Sequence, residues 1–259
     1  MPDPILARMT DRVPANLPYD GVQAEAYDSW IAVDDRLPEE STMLRLLAGT
    51  DGTVLELGCG TGRPLLRWLA DGMDIEGIEL SADMLAILQR HAAERGLQPT
   101  VHHGSFAPLA LGRTYGAIIC VVGSFTLIDD RDRAREALAS YWRHLAPGGL
   151  LAVTLVIPSV NFDEQLAWRL RRTGTHADGT TYLVHEAVRC DQADQLQVTY
   201  NRIETFDADG RLVGTDLRRY HLRWWGKEEF AALLRSVGFV DPDCVGGDVS
   251  WIATARRPL

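Results

Sequence analysis

The stretch Val54–Pro64, which reads VLELGCGTGRP, decides the fold. Its first four residues form a largely apolar run, which predicts a strand buried on both faces of a parallel sheet. Gly58, Gly60 and Gly62 follow, and glycine lets a backbone turn tightly and approach a ligand without a Cβ in the way. Pro64, with its fixed φ and missing N–H, suits the first turn of a helix. The stretch therefore predicts a strand, a ligand-binding turn and a helix.

The glycine spacing alone leaves other interpretations open. The dinucleotide fingerprint G-x-G-x-x-G also follows a strand and opens a helix. Here the third glycine comes one position early, and that fingerprint has no acid inside the strand comparable to Glu56. Burying such an acid is costly unless it is paired. No G-x-x-x-x-G-K-[ST] phosphate loop is present. A glycine turn that holds no ligand is the remaining alternative.

A second acid, Glu79, closes the next predicted strand at residues 74–79. It lies about 20 residues beyond the glycine turn, where α/β nucleotide sites place the acid that accepts the ribose hydroxyls. Ser81 is suited to cap a following helix, which carries Met84 and Leu88 on one face. This second acid favours a nucleoside-containing ligand.

The order of the predicted elements indicates an α/β fold. Helices are predicted at 21–33, 39–48, 131–145 and 227–237, and strands at 53–57, 74–79, 99–103, 116–122, 150–156, 240–245 and 250–256. Strands that alternate with helices imply a parallel sheet with right-handed crossovers. Residues 181–190, 195–206 and 212–225 instead alternate with period two, which predicts an inserted antiparallel meander.

Composition narrows the class of partner. The chain has 259 residues, 46% of them hydrophobic, which suits one α/β domain with a moderate elaboration. A net charge of −10 argues against a nucleic-acid partner, because such proteins carry a basic footprint. We interpret the basic run at Arg169, Arg171 and Arg172 as a solvated helix face.

The cysteines and acidic pairs indicate no metal. The four cysteines show neither C-x-x-C nor zinc spacing, so we expect free thiols and a cytoplasmic protein. Asp129 and Asp130 precede a predicted helix and are expected to cap it, not to bind a metal. No apolar run is long enough for a membrane span, so no membrane partner is expected.

Three segments resemble one known family. VLELGCGTG at 54–62 resembles motif I of the class I S-adenosylmethionine methyltransferases, ELSADML at 79–85 resembles their E/D-x-S-x-x-M-L segment, and HLAPGG at 144–149 resembles their L-x-P-G-G turn. The resemblance covers nearly the whole chain. It implies a Rossmann-like α/β fold, with a seven-stranded, mostly parallel sheet and an inserted antiparallel cap.

The resemblance also implies a domain scheme. An N-terminal helical lid segment is expected at 1–50, a cofactor-binding core at 51–160, the inserted cap on the substrate side at 161–225, and the completion of the core sheet at 226–259. The family members most alike are small-molecule N-methyltransferases of the sugar-amine, glycine and antibiotic-tailoring kinds.

The cofactor implied by the resemblance is S-adenosylmethionine, with S-adenosylhomocysteine as product. Glu79 would hold the ribose, Leu80 would flank the adenine, and Glu56 would orient the glycine turn. The acid that the family often carries after strand three is absent, and Ser105 stands there. The predicted cofactor-binding residues are Tyr27, Glu56, Gly58, Cys59, Gly60, Gly62, Arg63, Glu79, Leu80, Met84, Gly104, Ser105, Phe106 and Cys120.

Three aromatic residues, Tyr19, Tyr27 and Phe125, are predicted near the transferring methyl. The stretch AEAYDSW at 24–30 resembles the opening of these N-methyltransferases, whose N-terminal helix closes over the cofactor. Phe125, after strand four, would form a wall of the substrate pocket. Packing of the two tyrosines on the core is the alternative. No general base is assigned, because the sequence does not say which cap residues face the pocket; the candidates are His185, Glu186, Tyr200, Glu204, Tyr220 and His221.

The resemblance therefore implies an enzyme that transfers a methyl group from S-adenosylmethionine to a small molecule, at an amine nitrogen, in natural-product metabolism. A small-molecule O-methyltransferase and a non-catalytic, S-adenosylmethionine-binding regulatory protein are the alternatives, and a nicotinamide dehydrogenase is a weaker one. The expected partner is a small-molecule substrate. A homo-oligomer stays open, because the sequence says nothing of assembly.

Overall fold

The computed structural model describes residues 14–15, 19–30, 37–157 and 166–259. In chain order the elements are α1 (Val22–Trp30), α2 (Glu40–Leu47), β1 (Val54–Leu57), α3 (Leu65–Ala70), β2 (Ile75–Glu79), α4 (Ala82–Glu94), β3 (Thr100–His103), β4 (Tyr115–Cys120), α5 (Arg131–His144), β5 (Leu145–Val156), β6 (Arg169–Thr175), β7 (Thr181–Asp191), β8 (Leu196–Phe206), β9 (Leu212–Arg223), α6 (Lys227–Val237), β10 (Val240–Gly246) and β11 (Ser250–Arg256). They divide into two compact units.

The core unit comprises the described residues 37–157 and 224–259. Its seven-stranded sheet has the order β10-β11-β5-β4-β1-β2-β3, with parallel pairing from β5 through β3. Strand β11 is antiparallel to both of its neighbours. The predicted seven-stranded, mostly parallel sheet is therefore confirmed. Because β1 lies between β2 and β4, the strand order reverses beside β1, and open α/β sheets bind ligands at such a point.

Two apolar layers cover the sheet because successive side chains of a strand point to opposite faces. Leu55 and Leu57 of β1 belong to the layer that includes Leu138 and Tyr141 of α5. Val54 belongs to the opposite layer, with residues of α2, α3 and α4. Every residue of β1 and β4 is buried. This double burial explains why β4 is a continuous apolar run and why β1 is apolar except for Glu56.

The end of the sheet where the parallel strands begin is held by a buried carboxylate. Glu76 in β2 forms an ion pair with Arg113, and it accepts a hydrogen bond from the Tyr115 hydroxyl at 3.1 Å. His102 Nε2 lies 2.9 Å from the same carboxylate. Arg113 also donates to Thr53 Oγ1 at 2.9 Å, just before β1. Side chains from β3, from β4 and from the residue Arg113 before β4 therefore converge on Glu76 of β2.

The predicted N-terminal segment at 1–50 is divided between the two units. Helix α2 belongs to the core unit because Met43 and Leu47 are buried in the same apolar layer as Ile119 and Val121 of the sheet. Its Glu40 is 3% exposed, pairs with Arg67 and accepts the Trp68 indole N–H at 2.9 Å. A buried acid therefore fixes α2 to α3.

The second unit joins the described residues up to 30 with residues 166–223. Its antiparallel sheet has the order β6-β7-β8-β9. Helix α1 lies on this sheet, where Ala26 is buried with Tyr182, Val184 and Ile203. The period-two alternation of the sequence predicted β7, β8 and β9 with boundaries within two residues.

The prediction of a helix face at Arg169, Arg171 and Arg172 was wrong. These residues lie in β6, which forms one edge of the antiparallel sheet and pairs with β7. Arg171 lies 3.4 Å from Glu186 of β7. Charged residues are common on edge strands because they discourage pairing with another chain, so the polar run was consistent with an edge strand from the start.

Replacement of Glu76 by alanine is expected to lower the free energy of unfolding by about 2 kcal/mol, because it leaves the buried Tyr115 hydroxyl and the Arg113 guanidinium without their shared acceptor. The expected loss of stability is no larger because Arg113 is half exposed, so solvent screens its ion pair with Glu76. Urea denaturation measures it. The matched control is Asp209→Ala, which breaks the exposed Arg211–Asp209 pair and should change stability by less than about 0.5 kcal/mol. Equal effects of the two changes would contradict the proposed role of Glu76.

Candidate active site

The glycine turn after β1 lies at the carboxyl end of the sheet. The N–H groups of Gly58 and Cys59 both donate to the Ile78 carbonyl of β2, at 2.8 and 3.1 Å. Gly58 and Gly60 have φ of 67° and 54°, the left-handed region that favours glycine. The His91 ring of α4 lies 3.1 Å from the Thr61 carbonyl. Contacts from β2 and α4 therefore hold the turn in place.

Glu79 stands beside this turn and organises it. One carboxylate oxygen accepts the Gly60 N–H at 3.0 Å, and the other accepts those of Leu80 and Ser81, each at 2.9 Å. Ser81 caps α4 by accepting the Met84 N–H at 3.1 Å, as predicted. Leu80, next to this carboxylate, is 46% exposed. A carboxylate next to an exposed leucine fits a ribose and the base attached to it.

Glu56 is completely buried in β1. Neither of its carboxylate oxygens forms a hydrogen bond in the described part of the chain. Burial raises the pKa of this carboxyl well above its usual value, and the nearby Glu79 charge raises the pKa further. Arg63 and the backbone N–H of Leu65 act in the opposite direction. Arg63 Nε is itself buried and without a partner in the described residues. Glu56 and Arg63 therefore lie close enough to interact beside the turn, and neither the Glu56 carboxyl oxygens nor Arg63 Nε has a geometric hydrogen-bond partner in the described residues.

The segment after β3 closes another side of the turn. A Cβ on Gly58 would lie 3.4 Å from the Phe106 ring and 3.6 Å from Cβ of Ser124. The Gly104 N–H donates to the Glu79 carbonyl at 2.9 Å. Ser105 Oγ accepts from the Ala107 N–H at 3.0 Å and lies 3.1 Å from the Ala107 carbonyl, so this hydroxyl is used within its own loop. Phe106, more than Ser105, borders the glycine turn.

Several predicted site residues pack instead into the core. Phe125 is fully buried in a short 3-10 helix at Ser124–Leu127, and its ring centroid lies 5.3 Å from that of Phe230. The expectation that Phe125 walls a substrate pocket was therefore wrong, because apolar packing encloses its ring. Cys59, Met84 and Cys120 are also buried. Burial raises the pKa of the Cys59 thiol, so it is a neutral packing residue, not a nucleophile.

Tyr19 and Tyr27 lie in the other unit. The Tyr19 ring centroid is 5.9 Å from that of Tyr27 and 5.2 Å from that of Tyr220 in β9. Tyr220 is buried, and its hydroxyl has no partner in the described residues. Arg218 of β9 binds Asp20 at 2.6 Å, next to this aromatic cluster. Tyr19 and Tyr27 therefore belong to one aromatic cluster with Tyr220, and their placement near the transferring methyl stays a prediction.

The other cap candidates fall into separate places. Tyr200 is 1% exposed and packs with Ala187 and Val198, which is a structural role. His185 Nδ1 lies 3.8 Å from Glu204. Trp225, counted with the cap, belongs to the core unit, where it packs on Phe230.

Glu39, which sequence reasoning missed, reaches the ends of two core strands. It precedes α2 at the N-cap position, but its side chain forms no capping hydrogen bond. Its Oε1 instead accepts from Thr154 Oγ1 of β5 at 3.1 Å and from the Val122 N–H after β4 at 3.4 Å. An acid two residues after an apolar Leu37 carries no sequence signal of its own, because the contact joins residues more than 80 positions apart.

No metal centre or membrane helix is found in the described residues. No group of three or more histidine, cysteine, aspartate or glutamate side chains there could hold a metal ion. Asp130 caps α5 by accepting the Arg133 N–H at 2.8 Å, as its position before the helix predicted. No helix in the same part of the chain is long and apolar enough to cross a membrane.

Comparison with known proteins agrees with this geometry. Residues 54–149 match the model of a methyltransferase domain. Over this part of its length, the chain is therefore similar to methyltransferase domains. The matched residues run from β1, through the glycine turn and Glu79, to the Gly148-Gly149 turn inside β5, so the three segments that carried the resemblance lie inside the domain or at its border.

The relatives of this domain include enzymes that act on amino sugars. The chain is 33% identical over 130 residues to dTDP-3-amino-3,4,6-trideoxy-alpha-D-glucopyranose N,N-dimethyltransferase of Streptomyces venezuelae, covering 50% of this chain and 48% of that one. It is 34% identical over 151 residues to dTDP-3-amino-3,6-dideoxy-alpha-D-glucopyranose N,N-dimethyltransferase of Streptomyces fradiae, covering 57% and 56%. The chain thus spans about half the length of these curated relatives.

A solved structure supports the fold over a longer stretch. The sugar N-methyltransferase KedS8 from Streptoalloteichus superposes with a TM-score of 0.69 at 22% identity, covering 88% of this chain and 90% of that one. At this identity the likeness concerns the fold alone, and the chemistry must be argued from the residues.

The residues of the methyltransferase domain fit S-adenosylmethionine. Its amino-acid part carries an ammonium and a carboxylate, and beside the glycine turn the carboxyl group of Glu56 and Nε of Arg63 have no hydrogen-bond partner in the described residues. Glu79 has a carboxylate that is fixed by backbone N–H groups and is suited to accept hydrogen bonds from ribose hydroxyls. Leu80 and Phe106 provide apolar surfaces next to it for the adenine. These groups suit the amino-acid part, the ribose and the adenine of the cofactor.

Replacement of Glu79 by glutamine is expected to weaken binding of S-adenosylhomocysteine at least about tenfold. Both carboxylate oxygens accept backbone N–H groups, so an NH₂ in place of either oxygen sets a donor against a donor. Calorimetric titration measures the change. The control is Glu94→Gln at the exposed end of α4, which keeps the change in charge but should leave the affinity unaltered. Wild-type affinity in Glu79→Gln would remove Glu79 from the site.

The stability of the cofactor-free protein should depend on pH through Glu56. Because the pKa of the folded state is raised above the unfolded value, the folded state holds the proton more tightly, and stability falls as pH rises from about 4.5 toward the folded pKa. Glu56→Gln cannot ionise, so its melting temperature relative to wild type should increase between pH 5 and pH 8, by roughly 2–4 °C per kcal/mol. A pH-independent difference would show that Glu56 titrates normally.

Proposed function

We propose that the protein transfers the methyl group of S-adenosylmethionine to an amine nitrogen of a small molecule, in natural-product metabolism, and that the acceptor is an amino sugar carried on a nucleotide. The observation that carries the proposal is the glycine turn with Glu79, Glu56 and Arg63 around it, because these groups suit the ribose and the amino-acid part of this cofactor. The named relatives that act on dTDP-linked amino sugars support the acceptor class.

The reaction asks little covalent chemistry of the protein. When bound, the cofactor supplies a methyl group on a positively charged sulfur, which is already a good leaving group. The chain's task is to align the amine with that methyl and to keep water away, because orientation and exclusion of solvent supply most of the rate. The lack of a Ser-His-Asp arrangement in the sequence is consistent with such a direct transfer.

The second unit has features suited to a polar ring. Gln23 of α1 and Asn201 of β8 are 1% and 5% exposed, and each has a side-chain oxygen without a partner in the described residues. Asn201 pairs with Arg218 across β8 and β9, and Tyr220, two residues along β9, points to the same face. Amides, a hydroxyl and aromatic rings are the groups with which proteins bind sugars and similar ligands.

Tyr27 and Tyr19 are part of the proposal as residues near the transferring methyl. Aromatic faces attract cations such as a sulfonium by about 0.5–2 kcal/mol each. The alternative is that the two rings serve only to pack α1 on Tyr220. We also propose that the protein works in the cytoplasm, supported by its four free cysteines, three of which are buried.

A panel of ligands and acceptors tests the proposal. S-adenosylhomocysteine should raise the melting temperature, whereas NAD and NADP should not, which separates a methyltransferase from a dehydrogenase. Transfer of a labelled methyl group from S-adenosylmethionine is then measured with dTDP-3-amino-3,6-dideoxy-α-D-glucopyranose, glycine and catechol. Label on the amino sugar is the expected result.

The other outcomes of this panel have separate meanings. Label on catechol alone would indicate an O-methyltransferase, and label on glycine alone would keep N-methylation but remove the sugar. A thermal shift with S-adenosylhomocysteine and no labelled acceptor would indicate a regulatory protein that binds the cofactor without turnover. No shift at all would overturn the cofactor assignment.

A further inference from the structure

The carboxyl end of β4 carries a strained turn with an acid behind it. Val122 has a φ of 57°, which is rare for a β-branched residue, and Gly123 follows with 75°. Val122 is 46% exposed although it continues a fully buried strand. Strain of this kind persists only where surrounding structure enforces it, and it is concentrated at functional sites. The contacts that hold this turn, and the groups that it exposes, therefore bear on function.

Two groups of contacts hold the turn in place. Ser124 Oγ donates to the Val121 carbonyl at 3.2 Å, and Thr126 Oγ1 donates to the Gly123 carbonyl at 2.7 Å. From the other side, the Glu39 carboxylate accepts the Val122 N–H. Ser124 also borders Gly58 of the glycine turn. The turn thus lies between the cofactor-binding glycines on one side and Glu39 on the other.

The Glu39 carboxylate has no positively charged partner among the described residues. Glu39 contacts strand β5, which contains no charged residue. It also contacts the turn after β4, which contains no charged residue before Asp129. On α2, Glu40 is paired with Arg67, and Arg45 donates to Thr42 at 2.9 Å. No ion pair of Glu39 occurs among these residues. Its hydrogen bonds come from two neutral donors, which compensate a carboxylate charge only in part.

We propose that Glu39 binds the ammonium group of the methyl acceptor beside Val122 and takes its proton. An ammonium has no lone pair, so a proton must leave before the nitrogen can attack. The proton passes from nitrogen to the Glu39 carboxylate. The nitrogen lone pair then forms the new N–C bond while the C–S bond breaks and its electron pair stays on sulfur. The protonated Glu39 afterwards returns its proton to water.

This proposal rests on the proposed N-methylation and adds the group that selects a cationic acceptor over a phenol. The carboxylate attracts the ammonium form from solution and, by accepting its proton, yields the reactive amine at the site. A phenol would gain no such attraction, because its hydroxyl is neutral until it ionises and negative afterwards. Glu39 therefore acts on specificity and on rate together.

The test compares Glu39→Gln, Glu39→Asp and Thr154→Val in methyl transfer to dTDP-3-amino-3,6-dideoxy-α-D-glucopyranose, across pH 6 to 10. Glu39→Gln should lower kcat/KM about 100-fold near pH 7, and the loss should shrink as pH rises and free amine becomes abundant. Glu39→Asp keeps a carboxylate and should recover part of the rate with the wild-type pH profile. Thr154→Val removes a hydrogen bond to Glu39 but keeps its charge, so its rate should fall less than about threefold.

The opposite results are equally clear. A loss in Glu39→Gln that is the same at every pH and is matched by Thr154→Val would show that Glu39 only supports the turn, and wild-type kinetics in Glu39→Gln would remove any role. Titration with S-adenosylhomocysteine accompanies each variant, and its affinity should stay at the wild-type value. If wild-type protein binds S-adenosylhomocysteine but methylates no amine, the proposed function itself fails, and the role of Glu39 falls with it.

Discussion

The glycine turn lies directly on β2, and the site depends on that close approach. A Cβ on Gly77, in the middle of β2, would lie 2.6 Å from Cys59 Sγ and 2.6 Å from a methyl of Leu65. No side chain fits there, so the turn and the start of α3 can descend onto the strand. The Gly58 and Cys59 amides then reach the Ile78 carbonyl, and the Gly60 amide reaches Glu79. One missing Cβ thus permits the hydrogen bonds that shape the cofactor site.

Local signals predicted much of the fold and part of the site. Ser81 and Asp130 cap their helices as their chemistry indicated, and buried strands such as β4 are apolar throughout. Glu79 was predictable because the acid at the end of β2 follows the turn at a spacing that the α/β topology enforces. Each of these inferences needed only residues close in sequence, whose periodicity or position carries a physical meaning.

The remaining features depend on contacts between distant residues. Phe125 follows β4 directly, but the packing of Phe230 and Tyr141 on its ring, from two later helices, decides that it is core. Strand β6 reads as a basic surface run because an edge strand has no buried alternation to mark it. Glu39 gains its place only when β4 and β5 lie side by side. Sequence periodicity indicates which residues are buried. These three cases depend instead on contacts between residues that are distant in the sequence.

Acidic residues of the core unit occur in two kinds of environment, with an arginine partner and without one. Glu76 and Glu40 have arginine partners, and their carboxylates join strands or helices that would otherwise be held by apolar contact alone. Glu56 is buried without a partner and Glu39 meets only neutral donors in the described residues, although both lie near the carboxyl ends of the strands. An unpaired carboxylate costs stability wherever it is desolvated, so it persists where a cation compensates it part of the time. A cofactor bearing an ammonium and a sulfonium, and an acceptor bearing an ammonium, are cations of that kind. The environments of Glu56 and Glu39 are therefore consistent with the proposed cationic cofactor and acceptor.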